Sequence, residues 1–339
     1  MLRPLDRLCR LSLFVLLLAC VACTGRAPSD RVPAPTGPAR AHNAAWLGVE
    51  WVMALRDATE IAALAANLEA HQIDTVYVYA SYLRADGSFN PTYDHASHFV
   101  RMLAAAYPEC SIQAWIGLPL SVDGVITWAG YVDLMDTDTR AQIAAFCASL
   151  VAEHGFHGVH LDPEPVFSGS KSLMRLLDEI RQALGPDATL SVAGRHICPW
   201  GARLSPRARH YLEEQLYRWF WSPAYYREVA ARVDEIAVMV YDSSTLTPGG
   251  YRRWTRRQVV RVSEALAEAN VRLFIGVPTS EERTSTHHPW AENMRSGLLG
   301  VREGLMEAGT DGNAVTGVAI YPYWETDEIE WSVYGDLWR

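Results

Sequence analysis

From residue 46 onward the sequence alternates between two periodicities, and that alternation leaves few folds open. Short apolar, β-branched runs at 46–51, 75–80, 112–116, 158–162, 189–193, 235–241, 273–277 and 317–321 have the length and composition of strands. Between them, 59–71, 96–107, 139–154, 170–184, 223–233, 255–270 and 291–308 place apolar residues at the spacing of amphipathic helices. Strand starts recur every 29 to 46 residues, the spacing of right-handed strand–helix units in a parallel sheet. Eight such units in about 300 residues predict one α/β domain, a (β/α)8 TIM barrel over residues 44–339. No Gly-x-Gly-x-x-Gly follows the first run, which weakens a doubly wound dinucleotide-binding sheet.

The residues ahead of the barrel read differently. Arg3, Arg7 and Arg10 precede an apolar run, 11–19, too short to span a bilayer, which is the pattern of a secretory signal. The run ends Leu17-Leu-Ala-Cys20, which resembles a bacterial lipobox, with Cys23 as a second candidate for lipidation and a plain soluble signal peptide as the alternative. Residues 1–23 are therefore expected to be signal and lipobox, and 24–43, rich in Pro, Gly, Ala and Arg, a flexible tether. The expected location is outside the cytoplasm, anchored by lipid at a bacterial membrane or else secreted.

Charge narrows the partners. Residues 1–40 carry six Arg against two acids, so the net charge of −9 for the whole chain becomes −13 beyond them, which argues against nucleic acid. Twelve Trp and fifteen Tyr supply rigid faces for core filling and for stacking on sugars. Cys110, Cys147 and Cys198 show no zinc spacing, and no metal or cofactor is expected. If the barrel is right, Cys110 and Cys147 are expected to pair at its base, with free buried thiols as the alternative. The chain is expected to be a monomer.

In a barrel of this kind, function lies at the C-terminal ends of the strands. The fourth run, Phe156-His-Gly-Val-His-Leu-Asp-Pro-Glu-Pro165, ends in two carboxylates. Alternation puts His160, Asp162 and Glu164 on one face and His157 on the other, and Pro163 predicts that the strand stops at Asp162. A core strand does not bury three ionisable groups without cost, so this face belongs at a mouth. Glu50, Tyr79, Trp115, Met239, Asp242 and Trp324 sit at the other strand ends and are expected to line the same mouth. Arg195-His196 and His287-His288 follow the fifth and seventh runs and are read as solvated loop residues, with a reach to the mouth as the alternative. Two carboxylates ~6.6 Å apart along a strand suit glycoside cleavage, with Glu164 as the acid whose pKa the Asp162 charge raises.

His157-Gly-Val-His-Leu-Asp162-Pro-Glu164 resembles a degenerate form of the Asp-x-x-Asp-x-Asp-x-Glu signature of glycoside hydrolase family 18, the chitinase and endo-N-acetylglucosaminidase family. Met239-Val-Tyr241-Asp242 is similar to that family's sixth strand end, and Trp324 stands where the family has a Trp after the eighth. The resemblance implies an N-acetylglucosamine-containing glycan as partner and a substrate-assisted retaining reaction. Glu164 is then the acid, Asp162 orients the N-acetyl group, Tyr241 hydrogen-bonds it, and Asp242 and Trp324 line the sugar subsite. His157 and His160 replace the first two Asp residues of the signature, so His160 would have to govern Asp162. The third run reads Trp115-Ile-Gly-Leu in place of the family's Ser-x-Gly-Gly. Three alternatives stay open: a protein nucleophile among Glu50, Glu281 and Glu325, a metal site on His160, Asp162 and Glu164, and a carbohydrate-binding protein on a decayed scaffold.

Overall fold

The computed structural model describes residues 42–121, 130–198 and 220–339. The expected signal, the lipidation candidates Cys20 and Cys23, and the tether up to residue 41 lie outside the described residues. Eight parallel strands close into a barrel in chain order: β1 (Asn43–Leu47), β2 (Ile73–Tyr82), β3 (Ser111–Pro119), β4 (Gly158–Glu164), β5 (Thr189–Gly194), β6 (Glu235–Val238), β7 (Arg272–Pro278) and β8 (Val315–Tyr321). The connecting helices are α1 (Glu50–Met53), α2 (Ala58–Ala70), α3 (Ala96–Ala106), α4 (Thr137–His154), α5 (Lys171–Leu184), α6 (Pro223–Ala230), α7 (Pro248–Leu266), α8 (Met294–Ala308) and α9 (Glu328–Trp338). The expected (β/α)8 barrel is the fold.

Local chemistry sets the element ends. Asp57 and Glu60 form a reciprocal capping box at the start of α2, and Asp327 and Glu330 do the same for α9. Gly155 ends α4 with φ +77°, a left-handed turn that a side chain would disfavour, and so aims the chain straight into β4.

Of the strand ends that differ from the sequence expectation, three bear on the site. The first strand stops at Leu47 and Glu50 opens α1, where Arg56 Nε donates to the Glu50 carbonyl at 3.0 Å. β4 runs through Pro163 to Glu164. Its ladder to β5 ends at Leu161 against Val192, while its ladder to β3 continues to Glu164, whose carbonyl accepts from Leu120 N at 2.7 Å. The missing N–H of Pro163 therefore falls on the side where no strand asks for it. β6 ends at Val238 because the next carbonyls bond side chains instead, Val240 to Trp254 Nε1 at 2.9 Å and Tyr241 to His196 Nε2 at 2.7 Å.

Most apolar side chains pack between barrel and helices, and a second cluster, with Trp46, Tyr77, Trp115, Ala237 and Phe274, fills the barrel interior. Threaded through that interior is a chain of hydrogen bonds that also fixes a tautomer. Trp46 Nε1 donates to His160 Nε2 at 3.2 Å, and an indole N–H can only donate, so the imidazole proton sits on Nδ1. Nδ1 donates to Ser191 Oγ at 2.7 Å, Ser191 Oγ donates to Gln113 Oε1 at 2.5 Å, and Gln113 Nε2 donates to Glu235 Oε2 at 2.9 Å. Glu235, fully buried, also accepts from Tyr77 at 3.2 Å and pairs with Arg272. Glu235→Ala should lower unfolding stability by roughly 2–5 kcal/mol in urea denaturation, because the Tyr77 hydroxyl and the Gln113 amide lose their shared acceptor inside the barrel.

Cys110 and Cys147 do not pair; both are free and buried. Cys110 precedes β3 at the base, whereas Cys147 lies seven residues before the end of α4, about 10 Å up the helix axis. Burial raises the thiol pKa of Cys110 to about 12 and pushes Cys147 higher still.

Candidate active site

The C-terminal mouth is built from inward-facing residues of successive strands. Asp162 Oδ2 accepts from Trp115 Nε1 at 3.1 Å, while Asp162 Oδ1 is buried and has no hydrogen-bond partner among the described residues. Burial raises the Asp162 pKa against the lowering effect of the Trp115 bond. Glu164, one inward position higher, is exposed at the mouth, yet the surrounding protein desolvates it, and that is the main cause that raises its pKa. The Asp162 charge raises it further, Arg195 opposes, and Asp242 adds to the rise. A pair of carboxyls so placed holds a proton at the upper site while the lower one ionises.

His160 lies beneath Asp162 but does not govern it. Its two ring nitrogens are committed to Trp46 and Ser191, and its face stacks on Tyr77 at 3.8 Å between centroids. Burial lowers its pKa to about 3, so the ring is neutral. Trp115, not His160, is the side chain that holds Asp162. The committed nitrogens also remove His160 as a metal ligand.

Aromatic rings form the wall. Tyr241 is buried and stacks on Tyr321 at 4.9 Å with 12° between planes; Trp324, 46% exposed, stands edge-on to Tyr321 at 6.1 Å. The Tyr241 ring has room because β7 carries Gly276 there, where a Cβ would lie 3.0 Å from the ring and 2.8 Å from the Val238 carbonyl. Tyr79 stands edge-on to Trp115 at 4.7 Å, its pKa raised to about 12 by burial and then by Asp162. Met239 is half-buried on the inward face below Tyr241.

Asp242 adopts φ +57°, a left-handed conformation that Asp tolerates better than most residues. Glu292, fully buried, holds it there by accepting from Asp242 N at 2.8 Å, Ser243 N at 3.0 Å and Ser243 Oγ at 2.6 Å. His287 Nε2 faces the Ser280 carbonyl at 3.0 Å and Nδ1 faces Glu292 at 3.1 Å. Both neighbours only accept, so His287 is an imidazolium; burial opposes that charge, and the Glu292 and Ser280 bonds outweigh it. Asp242, His287 and Glu292 bring donor atoms within 4.8 Å of one another, but an imidazolium has no lone pair for a metal, and the group is complete as an ion-paired brace.

The structure thus gathers Asp162, Glu164, Trp115, Tyr79, Met239, Tyr241, Asp242 and Trp324 at one mouth. Glu50 reaches the rim from α1, its carboxylate folded over Gly48. Glu281 and Glu325 lie together on the β7 and β8 rim, where Glu281 N donates to Glu325 Oε2 at 2.8 Å. Arg195, His196, His287 and His288 are not solvated loop residues: His196 and His287 are hydrogen-bonded inside the wall, His288 is buried, and Arg195 is half-buried beside Glu164. Tyr321 and Glu292 are mouth residues that the sequence reading did not single out, and Arg195 is one that it set aside as a solvated loop residue. Tyr321 and Arg195 were accessible from strand alternation; nothing local marks Glu292.

No family model and no curated protein matches the sequence. Solved structures do match the fold. The spore cortex-lytic enzyme SleL of Bacillus cereus aligns over 93% of this chain and 79% of its own at 11% identity, with a TM-score of 0.55. A glycoside hydrolase family 18 N-acetylglucosaminidase of Paenibacillus barengoltzii aligns over 87% and 98% at 12% identity, TM-score 0.53. A plant class V chitinase mutant of Cycas revoluta, solved in complex with (GlcNAc)3, aligns over 88% and 99% at 13% identity, TM-score 0.55. This chain and those three structures are similar in fold.

Proposed function

We propose that this chain is an exported glycoside hydrolase that cleaves N-acetylhexosamine-containing glycans with retention, the substrate's own N-acetyl group acting as nucleophile. The observation that carries the reading is the orphaned Asp162 Oδ1, buried on the inward face next to Glu164. A buried carboxylate oxygen without a donor costs free energy until a ligand N–H arrives, and an acetamido N–H is such a donor. Glu164 then gives its proton to the leaving glycosidic oxygen while the acetamido carbonyl oxygen attacks the anomeric carbon. Asp162 balances the positive charge on the resulting oxazolinium, the Tyr241 hydroxyl steadies the acetamido oxygen, and water opens the ring with Glu164 as base. Trp324 offers the sugar an exposed apolar face. The likeness to the family 18 barrels supports the reaction class. The Asp162 and Asp242 charges raise the Glu164 pKa and Arg195 opposes them. Export is supported by the Arg-flanked apolar run ahead of Cys20 and Cys23.

The test is a matched pair of aryl glycosides. The N-acetylglucosaminide should be hydrolysed and the glucoside, lacking the internal nucleophile, should not, and a thiazoline mimic of the oxazolinium should inhibit competitively. Equal rates on the two glycosides together with failure of the mimic would overturn substrate assistance and return the search to Glu50, Glu281 and Glu325.

A further inference from the structure

Across the sheet from the acid stands a cation. The β4–β5 ladder keeps one offset, from Gly158 against Thr189 to Leu161 against Val192. The ladder itself stops at Leu161; the same offset continued would set Ala193 level with Asp162 and Arg195, the residue after β5, level with Glu164, and the Arg195 and Glu164 charges act on each other. Ser191 faces the interior, where it meets His160, so by alternation Ala193 and Arg195 share that face. The backbone at this point is pinned: Tyr226 donates its hydroxyl to the Arg195 carbonyl, and His196 donates to the Tyr241 carbonyl at 2.7 Å. The guanidinium is half-buried, yet among the described residues it makes neither a hydrogen bond nor an ion pair.

For a neutral substrate this arrangement works against itself. A partly desolvated cation without a counter-ion costs free energy, and its field draws the proton off the neighbouring acid. We propose that Arg195 is a specificity residue for an anion, and that the substrate is an N-acetylhexosamine glycan with a carboxylate on the sugar at or next to the scissile bond. This rests on the hydrolase reading and names its substrate class. The planar fork of Arg195 takes a carboxylate in two parallel N–H···O bonds. Once the substrate carboxylate offsets the guanidinium, Glu164 faces Asp162 and Asp242 without an opposing charge and keeps its proton to higher pH, so binding of the correct substrate arms the acid.

The carboxylate can come from a lactyl ether or from a uronic acid, and the experiment separates the two. Oligosaccharides alternating N-acetylglucosamine with its 3-O-lactyl ether, and others alternating it with hexuronic acid, are offered to the full chain as free acids and as methyl esters. Both kcat/KM and, on Glu164→Gln, calorimetric Kd are measured. In one series the free acid should be preferred about 10-fold or more, Arg195→Met should abolish that preference, and Arg195→Lys should keep part of it. With the favoured acid, the alkaline limb of the wild-type rate profile should lie above the limb for its ester. Equal handling of acid and ester in both series, or a loss in Arg195→Met that falls equally on both, would overturn the assignment. Carboxylate-selective binding that depends on Arg195, without turnover of any oligosaccharide, would keep the anion site and overturn the hydrolase reading instead.

Discussion

Glu164→Gln should reduce kcat on an N-acetylglucosaminide by roughly 10²- to 10⁴-fold or more, the usual worth of general acid catalysis. The amide keeps the size of the side chain and the space beside Asp162 but has no proton to give to the leaving oxygen. Substrate binding should survive, because the sugar's platform and the Asp162 acceptor are untouched, so the loss belongs in kcat and not in KM. The same substitution should leave stability unchanged or raise it at neutral pH. Burial and the Asp162 charge hold the folded pKa of Glu164 above that of the unfolded chain. The folded protein therefore binds the proton more tightly, and stability falls as pH rises through the interval between the unfolded and folded values. Removing that ionisation removes the penalty. Activity has a matching limb: it needs Glu164 protonated and declines as pH rises through its raised pKa. A variant that is both inactive and less stable would point to a structural role, and full activity in Glu164→Gln would leave a binding protein as the better reading.

Much of the barrel was legible because the two signals that define it are local. The lengths of the apolar runs and the spacing of the helical faces gave eight strands in order, and strand alternation put Asp162 and Glu164 together at a mouth. What stayed hidden depends on neighbours. Pro163 reads as a strand stop, but β5 has already ended its ladder at Leu161, so the missing N–H costs nothing there. Glu50 reads as a strand end, but Gly48 and Arg56 turn the chain into a helix. His160 stands where the family 18 signature has an inner Asp, and the natural expectation was that it takes over that partnership. Which side chain meets which inside a barrel is fixed by strands far apart in sequence, Trp46 with His160 and Trp115 with Asp162. The brace on Asp242 is the extreme case. Glu292 lies fifty residues away in a segment with no motif, and only the closed fold shows that it holds the loop after β6.

Asp162→Asn bears on the step at which this chain departs furthest from the family 18 pattern. In place of an inner Asp stands His160, which is spent on Trp46 and Ser191, and among the described residues Asp162 has one indole bond and one oxygen without a partner. In the proposed mechanism the carboxylate does its work directly, accepting the acetamido N–H and opposing the positive charge that grows on the oxazolinium. An amide can still accept a hydrogen bond through its oxygen, so Asp162→Asn should bind substrate with a modest change in KM. It carries no negative charge, so kcat should fall by about 10²- to 10³-fold, the scale of losing one preorganised electrostatic contact in a dry site. The variant also removes the charge that raises Glu164, so its remaining activity should decline at lower pH than the wild type's. Inhibition supplies the independent check. A neutral thiazoline should lose little affinity for Asp162→Asn, whereas a protonated, oxazolinium-like inhibitor should lose most of its affinity. Equal losses for the two inhibitors would mean that Asp162 acts as a hydrogen-bond acceptor alone, and the charge-balancing role assigned to it would be wrong.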